Sequence, residues 1–269
     1  MNGRKIIPKA MIFLFVLVLI VRFLVDLDVG VAHTQNHEVY LPIIMQSTGD
    51  DLLLLLHFDE LTGTTLFQDS SSYDHHALCH SAACPTKAER GMDFNGQSSY
   101  LMSPASVQGL SSFTLAGWFY IRSYEHAGKY PIVFHAPGAD CARAALRIGG
   151  GYTEGPTLFV ADSDNCETKA VVSAAEVPEL NQWHHIVAIF DSDTDRHLIY
   201  VDGEKVAEND YPMEPIPDTF PGHPMYIGVN YSPRPDDQRW WDGYIDEVAL
   251  YGRALSAVEV GFLYNKSSQ

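Results

Sequence analysis

An all-β sandwich of two antiparallel sheets, closed by one short C-terminal helix, is the fold that three features of this sequence predict. First, beyond Gly91 short apolar or alternating runs recur at even spacing, each bounded by turn residues. Second, Asn95–Gly96 and Asp202–Gly203 sit between such runs and read as type I′ hairpin turns. Third, the chain ends on a strand-like stretch, Tyr244–Leu250, then Gly252, then Ser256-x-x-Glu259, a capping box opening a helix to Tyr264.

In chain order, Arg4, Lys5 and Lys9 precede Ala10–Val21, an unbroken apolar run of 12 residues. That is the layout of a secretory signal, with Gly30 and Ala32 as small residues for cleavage after Ala32. Phe23–Val25 beyond Arg22 would instead extend the run into an uncleaved membrane anchor. Residues 1–35 are therefore expected to be a signal peptide or anchor, 36–50 a linker broken by Pro42, and 51–269 a single β domain, secreted or displayed at the cell surface.

Leu52–Phe58 is a continuous apolar run, fitting a strand buried on both faces. Leu61–Ala77 is turn-rich. Met92–Phe94 and Ser99–Met102 are expected to pair as a hairpin across Asn95–Gly96, and His197–Val201 with Lys205–Ala207 across Asp202–Gly203. In Phe113–Ile121, residues 113, 115, 117, 119 and 121 form one apolar face. Trp118 and Tyr120 point the other way, either toward ligand or packed beneath a loop. His184 and His185 also face opposite sides of a strand and are read as packed, hydrogen-bonded residues rather than joint metal ligands. By the same alternation Asp246 and Glu247 are expected on opposite faces.

The chain holds 17 Lys and Arg against 34 Asp and Glu, a formal charge of −17. Such a balance repels phosphate backbones and anionic headgroups, which argues against nucleic-acid binding. Four cysteines suit an oxidising compartment. The most local connectivity pairs Cys79–Cys84 and Cys141–Cys166. A zinc site using Cys79, Cys84 and the nearby His75, His76 and His80 is the alternative.

Six segments in order, Leu55–Ser71, Gly91–Met102, Phe113–Ile121, Asn181–Asp191, Ile199–Ala207 and Trp241–Val260, resemble the laminin-G-like (concanavalin A-like, pentraxin-related) domains of bacterial extracellular proteins. The resemblance covers roughly Asp51–Gln269 and implies a two-sheet antiparallel jelly-roll sandwich. It also implies a structural calcium where the first loop meets the closing strand, with Asp59, Asp69, Asp74 and Asp246 as side-chain ligands. Tyr73–Asp74 here replace the family's Gly-Asn. The alternative for Asp69 and Asp74 is turn capping through their own side chains.

The long polar loops are Tyr124–Tyr130, Asp162–Asn165 and Tyr231–Trp241. In the last, Arg234, Asp236, Arg239 and Trp240 offer stacking planes and hydrogen-bonding groups that suit a sugar ring, while Trp241 is expected to close the core. No metalloprotease, nucleophile-elbow or phosphate-loop motif is present. Glu208, Asp210 and Glu214 approach a glycosidase pattern, but Pro212 interrupts it. The expectation is a non-enzymatic module that binds carbohydrate, with protein adhesion as the alternative and a glycoside hydrolase or lyase the less favoured one.

Overall fold

The computed structural model describes residues 51–80, 82–124, 132–137, 142–148, 155–163, 169–219, 222–230 and 238–267, with backbone alone at 132 and 133. The expected signal or anchor, the linker, Cys141, Cys166, Arg234 and Asp236 lie outside them. Two units separate at Ser47/Thr48, and the second, Thr48–Gln269, holds everything below.

Six short strands come first: β1 (Leu52–Leu56), β2 (Leu66–Phe67), β3 (Ala77–Leu78), β4 (Thr86–Lys87), β5 (Met92–Asn95) and β6 (Leu101–Ser103). Next come β7 (Ser112–Ile121), β8 (Ile132–Ala136), β9 (Ala144–Ile148), β10 (Pro156–Ala161), β11 (Lys169–Ser173), β12 (Trp183–Asp191), β13 (Arg196–Val201) and β14 (Glu204–Asp210). The chain closes with β15 (Met225–Ile227), β16 (Val229–Asn230), β17 (Arg239–Trp240), β18 (Asp242–Tyr251) and the helix α1 (Ala257–Ser267).

The first sheet has the order β14-β13-β12-β7-β18-β5-β4, and β1 lies beside the distal half of β18, opposite Val248–Tyr251. The second runs β11-β10-β9-β8-β15-β6-β3-β2, and β16 pairs with β17 in a small separate ribbon. All pairings are antiparallel. The jelly-roll sandwich expected from the sequence is the fold observed. Its core lies between the sheets: Phe113, Leu115, Phe119 and Ile121 alternate inward from β7 and meet Leu101, Phe134, Leu146, Leu158 and Ile227 from the second sheet. Trp241 joins them with no exposure and sets its ring edge-on to Phe119 at 5.8 Å.

The turn at Asp202–Gly203 is the hairpin its sequence predicts. Both residues have positive φ (51° and 83°), as a type I′ turn demands, and Val201 pairs with Glu204. The other predicted hairpin is corrected. β5 belongs to the first sheet and β6 to the second, so Asn95–Gly96 carries the chain across the sandwich. Asn95 Oδ1 accepts the N–H groups of Gln97, Ser98 and Ser99, which folds the turn without strand pairing.

A second correction concerns β18. Against β7, Asp246 pairs with Trp118 but Ala249 pairs with Ala116, and Glu247 takes φ 49°. That is a β-bulge, and it resets the alternation. Ile245 and Val248 both enter the core, while Asp246 and Glu247 both project from the outer face, to Arg90 and His57 respectively.

The capping box forms as expected: Ser256 N–H and Oγ–H both donate to Glu259 Oε2 at 2.8 Å. α1 then lies on the outer face of the first sheet, where Leu255 and Val260 pack on Ala116, Val187, Ile189 and Ala249. Burying such a side chain contributes roughly 1.5–3 kcal/mol, enough to hold so short a helix that would not persist alone.

Candidate ligand-binding face

A sandwich offers two outer faces, and side-chain chemistry separates them. On the first sheet, Trp118 is buried: Tyr264 of α1 stacks on it at 5.7 Å and the Arg90 guanidinium lies 4.4 Å from its ring. Arg90 also covers Trp183 at 4.7 Å and donates to Asp246 at 3.0 Å. Burial pushes the Asp246 carboxyl up, against the opposing pull of Arg90. Beyond it Tyr120, Trp183 and Tyr244 pack ring on ring. Arg122 binds Asp93, Asp242 and the Phe94 carbonyl, and burial does not prevent these carboxylates from holding it well above the usual arginine value. His57 meets Glu247 at 2.9 Å. Around Trp118 this face is covered by its own helix and its own ion pairs, so the second of the two readings of Trp118 holds, with a helix and an arginine in place of a loop; farther along the same face a cavity of about 510 Å³ opens between Leu198, Tyr200, Lys205 and Ala254–Ala257.

The outer face of the second sheet is different. One row of cross-strand partners crosses it from edge to edge: Leu66, Leu78, Met102, Tyr226, His135, Ala145, Phe159 and Val171. Over the middle of this row the rings continue, His135 to Tyr226 at 6.3 Å, Tyr226 to Tyr100 at 6.2 Å, and Tyr100 to Trp240 at 5.8 Å. Tyr226 and His135 are buried, while Tyr100, Trp240, Arg239, Arg147 and Phe159 are half-buried. The Arg147 guanidinium lies 5.5 Å from the Phe159 ring. Burial, with Arg147 and Arg239 nearby, lowers the His135 pKa to about 4, so its imidazole is neutral at pH 7. A buried aromatic floor with half-exposed ring edges and guanidinium forks suits a ligand with both apolar and hydroxylated sides.

Of the residues expected to bind ligand, Arg239 and Trp240 fall on this face through β17, while Arg234 and Asp236 lie outside the described residues. The four aspartates expected to hold calcium are not assembled into one set. Asp69 accepts hydrogen bonds from Leu55 N, Ser71 N, Ser71 Oγ and His75 N. Burial pushes its carboxyl up, but those donors, Ser71 foremost, leave it below the ordinary value. Asp246 is taken by Arg90, and Asp59 and Asp74 are exposed. Among the described residues no three His, Cys, Asp or Glu side chains converge as a metal site. The turn-capping alternative describes Asp69. Cys79 and Cys84 form the expected disulfide, so neither is a thiolate for zinc. Cys141 and Cys166 lie outside the described residues.

Tyr100, Tyr226, His135 and Arg147 were not singled out from sequence. Their signal was present in the two-residue period: Tyr100 and Met102 flank inward Leu101, and Tyr226 lies between inward Met225 and Ile227. What the period lacks is which strands are neighbours.

Residues 95–261 match a family model described as the concanavalin A-like lectin/glucanases superfamily. No curated protein matches the chain in sequence. Among solved structures, domain 4 of AbnA, a GH43 extracellular arabinanase from Geobacillus stearothermophilus, in complex with arabinotriose, is similar with a TM-score of 0.61 and 16% identity, over 80% of this chain and 98% of that one. The ligand-binding domain of botulinum neurotoxin serotype D with N-acetylneuraminic acid gives a TM-score of 0.61 at 12% identity, over 83% of this chain and 52% of that one. The botulinum neurotoxin DC binding domain with rat synaptotagmin II gives 0.60 at 13% identity, over 82% and 52%. The match thus spans about half the length of those toxin domains. At such identities the likeness concerns fold.

Proposed function

Because this chain belongs to the concanavalin A-like lectin/glucanases superfamily, we propose that it is a non-catalytic carbohydrate-binding module of an exported protein, taking its ligand on the outer face of the second sheet. The observation that carries this reading is the contiguous run of Trp240, Tyr100 and Tyr226 rings, half-buried at one end and bordered by Arg239. Rings placed this way stack on a sugar's apolar side while guanidinium and hydroxyl groups meet its hydroxyls. The arabinotriose and N-acetylneuraminic acid complexes of structurally similar domains support the same ligand class. Export is supported by the basic-then-apolar N-terminus and the Cys79–Cys84 disulfide.

The test is binding of the full chain to a broad glycan and polysaccharide panel. Trp240→Ala and Tyr100→Ala are each expected to weaken binding at least about tenfold, the loss of one stacked ring being worth on the order of 1.4 kcal/mol. Trp183→Ala, on the opposite face, is expected to leave it intact. Undiminished binding by the Trp240 and Tyr100 variants would remove the assigned face. A blank panel with folded protein would favour the adhesion alternative, for which the synaptotagmin complex of a similar domain is the precedent.

A further inference from the structure

The β13–β14 hairpin and the start of α1 border a groove on the outer face of the first sheet, with a volume of about 510 Å³. Along β13, Arg196 lies between Asp191 and Asp210, Leu198 lies between Ile189 and Glu208, and Tyr200 has Lys205 beside it. At a strand rise of about 3.3 Å per residue, the groove runs about 13 Å from Arg196 to Tyr200. Ile189, Leu198 and Tyr200 make its floor, and Ala254, Leu255 and Ala257 the wall that faces it. Glu204 and Lys205 close the hairpin end, with Asp191 and Arg196 at the other. That volume, over an apolar floor with a few polar groups at the rim, is the size and make-up of a small-molecule site.

Two independent features say what such a molecule would be. Tyr200 is only 6% exposed, yet its hydroxyl opens on the groove and has no hydrogen-bond partner among the described residues. Buried hydroxyls are ordinarily bonded, so this one is poised to meet a ligand's polar group. The second feature is charge. Arg196 Nε donates to Glu208 at 2.8 Å, and Arg196 Nη2 and Lys205 Nζ donate to the same carboxylate. Both cations of the groove therefore share one anion. Glu204 has no ion-pair partner among the described residues. Asp191 accepts from neutral donors of its own turn, Asp193 N–H at 3.1 Å and Thr194 Oγ–H at 2.7 Å. Asp210 adds another carboxylate beside Arg196. Behind the wall, Arg253 is held between Asp51 and Glu259 and brings no spare positive charge. Carboxylate is thus in excess around the groove, and the formal charge of −17 on the chain reinforces the sign.

We propose that this groove is a ligand site in its own right, apart from the ring-lined face of the second sheet, and that it takes a small organic cation, an ammonium group carried on an apolar body. The body lies on Leu198 and the Tyr200 ring, against Ala254–Ala257. The ammonium donates to the Tyr200 hydroxyl and is drawn in by Asp191 and Glu204. An anion would have to displace Glu208 from both cations while facing the remaining carboxylates. A wholly apolar molecule would leave the Tyr200 hydroxyl buried without a bond.

The test is calorimetric titration of the full chain with phenethylamine and tryptamine. Each is compared with the uncharged alcohol of the same skeleton, phenethyl alcohol or tryptophol, and with the anion 3-phenylpropanoate. Both amines are expected to bind saturably and at least tenfold tighter than their alcohols, with the anion not binding. The amine preference is expected to shrink between about 50 and 500 mM salt, as the carboxylates are screened. Tyr200→Phe, which keeps the ring, and the double change Asp191→Asn with Glu204→Gln are each expected to weaken amine binding several-fold. Ala257→Trp, at an exposed position on the wall, fills the groove and is expected to abolish binding at an unchanged melting temperature. Alcohols bound as tightly as the amines, or no saturable binding of either amine up to about 10 mM, would overturn the cationic class. Amine binding undiminished in both Tyr200→Phe and Ala257→Trp would overturn the groove as the site. The amine-to-alcohol ratio of wild-type protein decides the ligand class even where a variant fails to fold.

Discussion

His185 lies under Trp118 and Tyr264, 3% exposed, and its Nδ1 has no hydrogen-bond partner. Burial lowers its pKa to about 4, Asp202 opposing and Arg90 adding to the effect. His135 is lowered to about 4 as well. Between pH 6.5 and 4 the unfolded chain binds protons at these positions that the native protein refuses, so stability falls as pH falls, by up to about 3 kcal/mol per histidine. His184 is raised instead, chiefly by its hydrogen bond to Asp202, so it offsets part of the drop near pH 7 and adds nothing more once pH is well below the unfolded value. Urea stability is expected to drop steeply from pH 7 to pH 4.5, and His185→Phe, which keeps a ring under the helix, to make that drop shallower. A drop of the same size in the variant would discard the assignment. The sequence placed His184 and His185 as packed residues on opposite faces, and so they are. It misplaced Glu247, because alternation assumes an unbroken ladder and a bulge is a property of two strands together.

Among the elements, the β18 bulge depends on the turn that faces it. Gly91 has φ 65°, and a Cβ there would stand 2.3 Å from the Ile245 carbonyl and 2.8 Å from Asp246 Cβ. Gly91→Ala must therefore push β5 off β18 and shift Arg90, which clamps Asp246. We expect it to cost at least about 3 kcal/mol in urea unfolding. Gly63→Ala, with φ 86° and open space around it, carries backbone strain alone and is expected to cost about 1 kcal/mol. Equal costs would mean that the close approach to β18 contributes nothing. Elements defined by local chemistry were legible: the Ser256–Glu259 box, the Asp202–Gly203 hairpin and the alternation of β7 all stand as read. The Asn95–Gly96 turn was legible as a turn and not as a crossing, since its geometry says how the chain reverses but not which sheet takes the next strand.

Over the whole domain, stability rests on the apolar core, with the Cys79–Cys84 link, five residues apart, adding about 2 kcal/mol through loop closure. Calcium binding at Asp69 would have to displace four chain donors from its carboxylate, so the melting temperature is expected to be the same in calcium and in chelator. A rise of several degrees in calcium would refute that. By itself the sequence determined the fold class, the inward face of the long strands, the capped helix and the burial of Trp241, because each follows from residue periodicity or from contacts within a few positions. It also determined the net charge. Only the tertiary structure decided on which outer face α1 and Arg90 pack, and that Tyr100, His135, Arg147, Tyr226 and Trp240 share one surface. Those residues are spread over 141 positions of sequence, and what gathers them is strand order, a pairing between distant segments that no local pattern encodes.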